Sequence, residues 1–357
     1  MLPSARRALG GIGQARFAQV RLASNFTVKF DEYGDPLSVL KHETCEVPKV
    51  SEGSVLLKIL ASPINPSDIN LIQGTYGIKP SLPARAGLEG VGEVIETGSS
   101  VKKLKTGDWV LLPGEAWGTW REFGVAEEKG LRKLSNQLDV VMASTMLVNP
   151  PSAYRMLKDF VELKPGDTVI QNGANSAVGQ AVIQIAKAWG IKTVNIIRDR
   201  PDVADLKQQL IAMGADHVIT EEELRLPEMK NLFKQIPMPS LALNCIGGRN
   251  CSDMMRYVAD EGSVVTYGAM SKQPVVSSAT ALIFKDLRVR GFWRTRWAKK
   301  NSGSPEDDSM YEELQKMALD KKLLPPRHTV HKLQNYQEAV RKSMEGFTSS
   351  KQILVNM

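Results

Sequence analysis

Apolar positions along the chain follow two rhythms, and the change between them falls near Asn149. From about Thr27 to Pro150 apolar residues come in short runs broken by Gly and Pro, and 54–60, 91–95 and 109–112 read as strands. Between them lie two turn-rich stretches, 62–68 and 73–77. This pattern predicts a β-rich, barrel-like unit. Beyond Asn149 short apolar strands alternate with helical spacing. The turn Lys164-Pro165-Gly166 leads into a strand at 167–171, and Val178, Val182, Ile185, Ala186 and Trp189 then recur at intervals of three and four. A strand at 193–197, a helix at 202–213 and a strand at 217–220 follow, with later strands at 241–246, 263–267 and 287–292. A helix between successive strands requires a crossover, so the strands pair in parallel and fit a doubly wound dinucleotide fold. From about Ser302 the pattern is helix, then loop, then a terminal strand at 352–355 that can rejoin the first unit. No internal repeat or low-complexity tract interrupts it.

Length and composition narrow the class. A chain of 357 residues suggests two domains, and 42% apolar with 24% charged residues is a globular composition, excluding collagen, coiled coil and wholesale disorder. Cys45, Cys245 and Cys251 are too few for a disulfide framework or a four-thiolate zinc site, which points to a reducing compartment. The absence of an 18-residue apolar run argues against a membrane span. Net charge is +7, but Arg6, Arg7, Arg16 and Arg21 precede the first acid, Asp31. Arginine with Ala, Ser and Gly and no acid is the composition of a mitochondrial transit peptide, expected over 1–23. Removing its four arginines brings +7 down to +3, and the absence of an aromatic-interleaved basic stripe argues against nucleic acid.

The turn after the first alternating strand, 171–179, is the candidate nucleotide site, because backbone N–H groups at a helix N-terminus attract phosphate. The three-glycine fingerprint would place glycines at 174, 176 and 179, where this chain has Ala174, Ser176 and Gly179. One match in three is weak by itself, and the strand-turn-helix context carries the reading. The end of the second strand selects the cofactor. There Arg198-Asp199-Arg200 offers two guanidinium groups to a 2′-phosphate, or else Asp199 neutralises one of them in a solvated turn. The first alternative predicts NADPH and is preferred.

These residues resemble the zinc-free branch of the medium-chain dehydrogenase/reductase superfamily, and within it the enoyl thioester reductases, over the whole chain after the presequence. The resemblance rests on 63–70, 74–77, 118–120, 149–150, 198–201, 214–217 and 349–352. It implies a GroES-like catalytic domain over 24–148 and 296–357, with a Rossmann domain at 149–295 inserted in it. Zinc-dependent members carry His-Glu after a glycine. Here the segment is Gly87-Leu88-Glu89-Gly90, so a leucine fills the ligand position and no metal is expected. His328 and His331 read as a surface loop.

The same resemblance implies reduction of a trans-2-enoyl thioester of coenzyme A or acyl carrier protein, in mitochondrial fatty acid synthesis, by a homodimer. Its proton donor falls on Tyr76, with Asn65, Asn70 and Trp293 as positioning candidates. A phenol keeps its proton at neutral pH and can give it to an enolate. Implied cofactor contacts are Asn149, Asn175, Ser176, Ala177 and Val178, then Arg198, Asp199 and Arg200. Tyr267, Gly268, Ala269 and Met270 follow, then Phe292, Trp293, Arg294 and Lys351. Arg294, Arg296, Lys299 and Lys300 form a basic group that suits coenzyme A phosphates or an acidic carrier protein, or else a solvated face. Two rival readings remain. One is a zinc-free NADPH quinone oxidoreductase, which has no fixed need for a proton donor at an α-carbon. The other is a nucleotide-binding interaction protein without turnover.

Overall fold

The computed structural model describes residues 24–114, 116–346 and 349–356, so the expected transit peptide at 1–23 lies outside the described residues. The fold is α/β, a doubly wound parallel sheet set into a β-rich unit. Six strands make the parallel sheet in the spatial order His217–Thr220, Lys192–Ile197, Thr168–Asn172, Leu241–Asn244, Ser263–Thr266 and Arg288–Gly291. All five pairings are parallel, as crossover helices demand. The central strands, buried on both faces, read as continuous apolar runs, which is why the pattern found them.

The β-rich unit is built on the long strand Ser54–Pro63, which pairs antiparallel with Val91–Thr97 and Phe123–Glu127. The terminal strand Lys351–Val355 rejoins this unit as expected, with Ile353 opposite Pro63. A smaller sheet joins Lys41–Cys45, Asn25–Phe30 and Ala84–Arg85. One apolar core runs through both units. It includes Ala61 and Val91 of the β-rich sheet, Met156 of the helix Asn149–Asp159, Val182 and Ile185 behind the parallel sheet, and Leu314.

Two expectations are corrected. The stretch at 62–68 is the end of a strand followed by the helix Pro66–Ile72, in which proline takes the first position, where its missing N–H costs nothing. His328 and His331 lie on the strand His328–Lys332, not on a surface loop. That strand pairs in parallel with Lys351–Val355, and the buried His331 imidazole shares a 2.7 Å hydrogen bond with Gln352 Oε1. Alternation failed here because this is a short edge strand with mostly exposed residues.

Candidate active site

In a sheet of this order the crevice opens beyond the C-terminal ends of the two strands where the winding reverses. These are Thr168–Asn172 and Leu241–Asn244. Buried amides tie the two ends together. Asn172 Nδ2 donates to Asn244 Oδ1 at 2.8 Å and Asn250 Oδ1 at 2.7 Å, while its Oδ1 accepts from the Cys245 N–H at 2.6 Å. With both polar atoms of its amide satisfied in this way, Asn172 fixes the strand ends instead of weakening the core.

The turn that follows uses Gly173 at φ +61°. Ser176 then caps the helix Ala177–Ala188, its hydroxyl accepting from the Gly179 N–H at 3.1 Å. Gly179 is the fingerprint glycine that geometry requires, since a Cβ there would lie 2.5 Å from the Ala174 carbonyl oxygen. The cleft in front of this turn measures about 480 Å³. Among the implied cofactor residues, Asn175, Ser176, Ala177, Arg198, Arg200, Met270 and Lys351 line it. Gly268 is held close to the backbone, where a Cβ would meet the Cys245 carbonyl at 2.9 Å, and Ala269 beside it is exposed. Val178 turns instead against the core.

The two arginines play unequal parts. Arg200 is buried, with its guanidinium donating to Asp202 Oδ1 at 2.7 Å and Ser349 Oγ at 2.6 Å, whereas Arg198 is exposed. Asp199 accepts from the Arg200 backbone N–H, and Asp202 pairs with that guanidinium. Ser349 also accepts from Asn175 Nδ2 at 2.9 Å, fastening the approach to the terminal strand onto the nucleotide turn. A helix N-terminus and guanidinium groups lining the cleft form a donor set that fits an anionic dinucleotide.

Tyr76 sits in the loop after the helix Pro66–Ile72. The Asn70 carbonyl accepts the Tyr76 N–H at 3.1 Å, so Asn70 orients the tyrosine through its backbone. Trp293 Nε1 donates to Tyr76 Oη at 3.0 Å, with the rings edge-to-face and centroids 6.2 Å apart. Trp293 follows the last parallel strand, so this contact joins the β-rich unit to the C-terminal edge of the sheet. Phe292, beside it, packs against Phe160. Arg294 is also turned from the cleft. It starts the helix Arg294–Asn301 and points inward, donating to Tyr311 Oη at 3.0 Å. The basic group is therefore reduced at the surface to Arg296, Lys299 and Lys300.

Behind the cleft lies a buried polar cluster whose centre the sequence reading missed. Asn65 Oδ1 accepts from Lys351 Nζ at 2.5 Å, and Asn65 Nδ2 donates to Glu89 Oε1 at 2.9 Å. Asn149 Nδ2 reaches the same Glu89 oxygen at 3.3 Å. Asp68 accepts from the Asn65 N–H at 2.7 Å. Burial raises Glu89 to about 8 and Asp68 to about 6, and it lowers Lys351 against the pull of both carboxyls. The only signal for Glu89 in the sequence was its place after Leu88, beside the position that zinc-dependent members fill with histidine. Among the described residues no three His, Cys, Asp or Glu side chains converge as metal ligands, and burial pushes the Cys245 thiol up to about 11.

Residues 51–136 match the family model described as alcohol dehydrogenase GroES-like domain, and 177–306 match that described as zinc-binding dehydrogenase. A curated relative from Rattus norvegicus, named mitochondrial enoyl-[acyl-carrier-protein] reductase, is 50% identical over 325 residues, covering 91% of this chain and 87% of its own. The solved complex of Etr1p with NADP and crotonyl-CoA superposes with a TM-score of 0.88 at 32% identity, covering 94% of this chain and all of that one. The mitochondrial 2-enoyl thioester reductase Etr1p/Etr2p heterodimer from Candida tropicalis gives 0.88 at 33%, with the same coverage.

Proposed function

The chain belongs to the mitochondrial enoyl-[acyl-carrier-protein] reductases of the medium-chain dehydrogenase/reductase superfamily, and on that premise we propose how its own residues carry the reaction. It is a mitochondrial NADPH-dependent oxidoreductase of fatty acid synthesis that saturates trans-2-enoyl thioesters. NADPH supplies a hydride to C3 of the enoyl group. Charge then moves onto the thioester oxygen, and C2 must take a proton.

Tyr76 is that proton's donor. The observation that carries this reading is the 3.0 Å bond from Trp293 to its hydroxyl oxygen. An indole N–H can only donate, so Tyr76 Oη accepts from it and keeps its own O–H for the substrate. The same indole meets the negative charge left on the oxygen as the proton departs. Trp293 is a positioning residue in this scheme, and so is Asn70.

We assign cofactor binding to Asn149, Asn175, Ser176, Ala177, Arg198, Arg200, Met270 and Lys351, with Gly268 and Ala269 forming a close backbone wall. The catalytic domain comprises 24–148 and 296–357, and the dinucleotide domain 149–295. Arg296, Lys299 and Lys300 offer an anionic handle, coenzyme A or carrier protein, a positive face near Trp293, over whose ring the Arg296 guanidinium lies at 5.6 Å. The active species is a homodimer. In support, Arg288–Gly291 is an edge strand exposed along its whole length, and Ile283 and Phe284 beside it are 71% and 78% exposed.

Incubation with crotonyl-CoA and NADPH tests the activity. Loss of nicotinamide absorbance with equimolar butyryl-CoA formed is expected. Folded protein that binds NADPH yet leaves crotonyl-CoA intact would overturn the reading.

A further inference from the structure

Glu89 is fully buried, lies behind the cleft wall and has no part in the reaction as derived above. Its carboxyl nevertheless reaches the cleft-lining Lys351 through the Asn65 amide and holds the buried Asn149, from a different segment, directly. The Asn65 amide cannot turn over without setting its N–H₂ against the ammonium and its oxygen against the carboxyl, so it links the two in one fixed orientation. Lys351 gives one N–H to Asn65 Oδ1 and another, at 3.3 Å, to the Ile64 carbonyl, which leaves one donor on a side chain that lines the cleft.

We propose that Glu89 is a positioning residue that sets the charge Lys351 presents to the dinucleotide, acting through the Asn65 amide. This rests on the reading that the cleft takes NADPH. The charged groups facing Glu89 are Lys351 from the terminal strand and Asp68 from the helix Pro66–Ile72, while Asn65, Asn149 and the Val148 backbone are uncharged. A protonated Glu89 leaves Asp68 alone of the two carboxyls to compensate the Lys351 ammonium, which then attracts the anionic cofactor more strongly. An ionised Glu89 compensates that ammonium and weakens the attraction. Burial places the change near pH 8, above the range in which the cofactor's own phosphates titrate.

The test is the NADPH dissociation constant, read by nicotinamide fluorescence as pH is raised through about 8. For the wild type it should weaken roughly tenfold, the scale of one pKa unit of coupling between two groups. Glu89→Gln, which mimics the protonated carboxyl in shape, should bind as tightly as the low-pH wild type and show no step there. Lys351→Met, which reads the same pair from its partly exposed end, should bind weakly and without the step. A Gln variant that reproduces the wild-type profile, or a Met variant that retains the step, overturns the proposal alone. Failure of the wild type to bind NADPH at any pH overturns the cofactor reading as well.

Discussion

Tyr76 and Arg198 are the residues on which the chemistry and the cofactor preference can be separated. Tyr76→Phe removes one oxygen and keeps the ring against Trp293. Turnover of crotonyl-CoA should fall about 10²-fold or more, the scale of losing a general acid, with the NADPH dissociation constant unchanged. Retained turnover would take the proton-donor role from it. Arg198→Gln should weaken NADPH by roughly 10- to 100-fold, the worth of a charge-assisted hydrogen bond, and leave NADH nearly untouched. Titrating both dinucleotides checks this, since equal losses would make Arg198 structural. Arg200 is the poorer probe, because its guanidinium also holds Asp202 and Ser349. At this scale the sequence carried much of the site. Residue identity flags a tyrosine in a glycine loop or arginines after a strand. It cannot flag Glu89, whose importance comes from burial, nor show that Arg294 faces Tyr311, because a helix beginning at that residue decides where its side chain goes.

The element that most constrains the site is the turn from Thr168–Asn172 into Ala177–Ala188. Replacing a helical glycine with alanine normally gains up to about 1 kcal/mol from propensity. At Gly179 the new Cβ would stand 2.5 Å from the Ala174 carbonyl oxygen, so overpacking should win and Gly179→Ala should lose about 1–3 kcal/mol. Urea unfolding gives the sign, and a stabilised variant would mean that the turn relaxes freely. The eroded fingerprint is intelligible on this basis. Position 179 is fixed by packing of the helix against the turn, while Ala174 and Ser176 occupy positions the backbone accommodates with a side chain, Ser176 even supplying the cap. The central parallel strands and the helix Ala177–Ala188 were legible because each buries a continuous or periodic apolar face. The strand at His328–Lys332 was not, since only His331 along it is buried. Nor was the helix Pro66–Ile72, whose leading proline and polar residues read as a turn although Ile69 and Ile72 are buried.

For the whole molecule, the exposed apolar surface beside the edge strand calls for a partner. If the proposed homodimer forms through this face, Phe284→Glu should yield monomers in sedimentation velocity while NADPH binding persists, and an unchanged sedimentation coefficient would move the interface elsewhere. The pairing of Lys351–Val355 with Ser54–Pro63 joins residues 290 apart in sequence. At typical elongation rates that interval is roughly 15–60 s, during which the growing chain holds an unfinished barrel edge open. Because Lys351 belongs to the same strand that joins this edge, completion of the β-rich sheet and completion of the cleft lining arrive together. A nascent chain that has made every strand of the six-stranded parallel sheet is still without the lysine that lines its cleft.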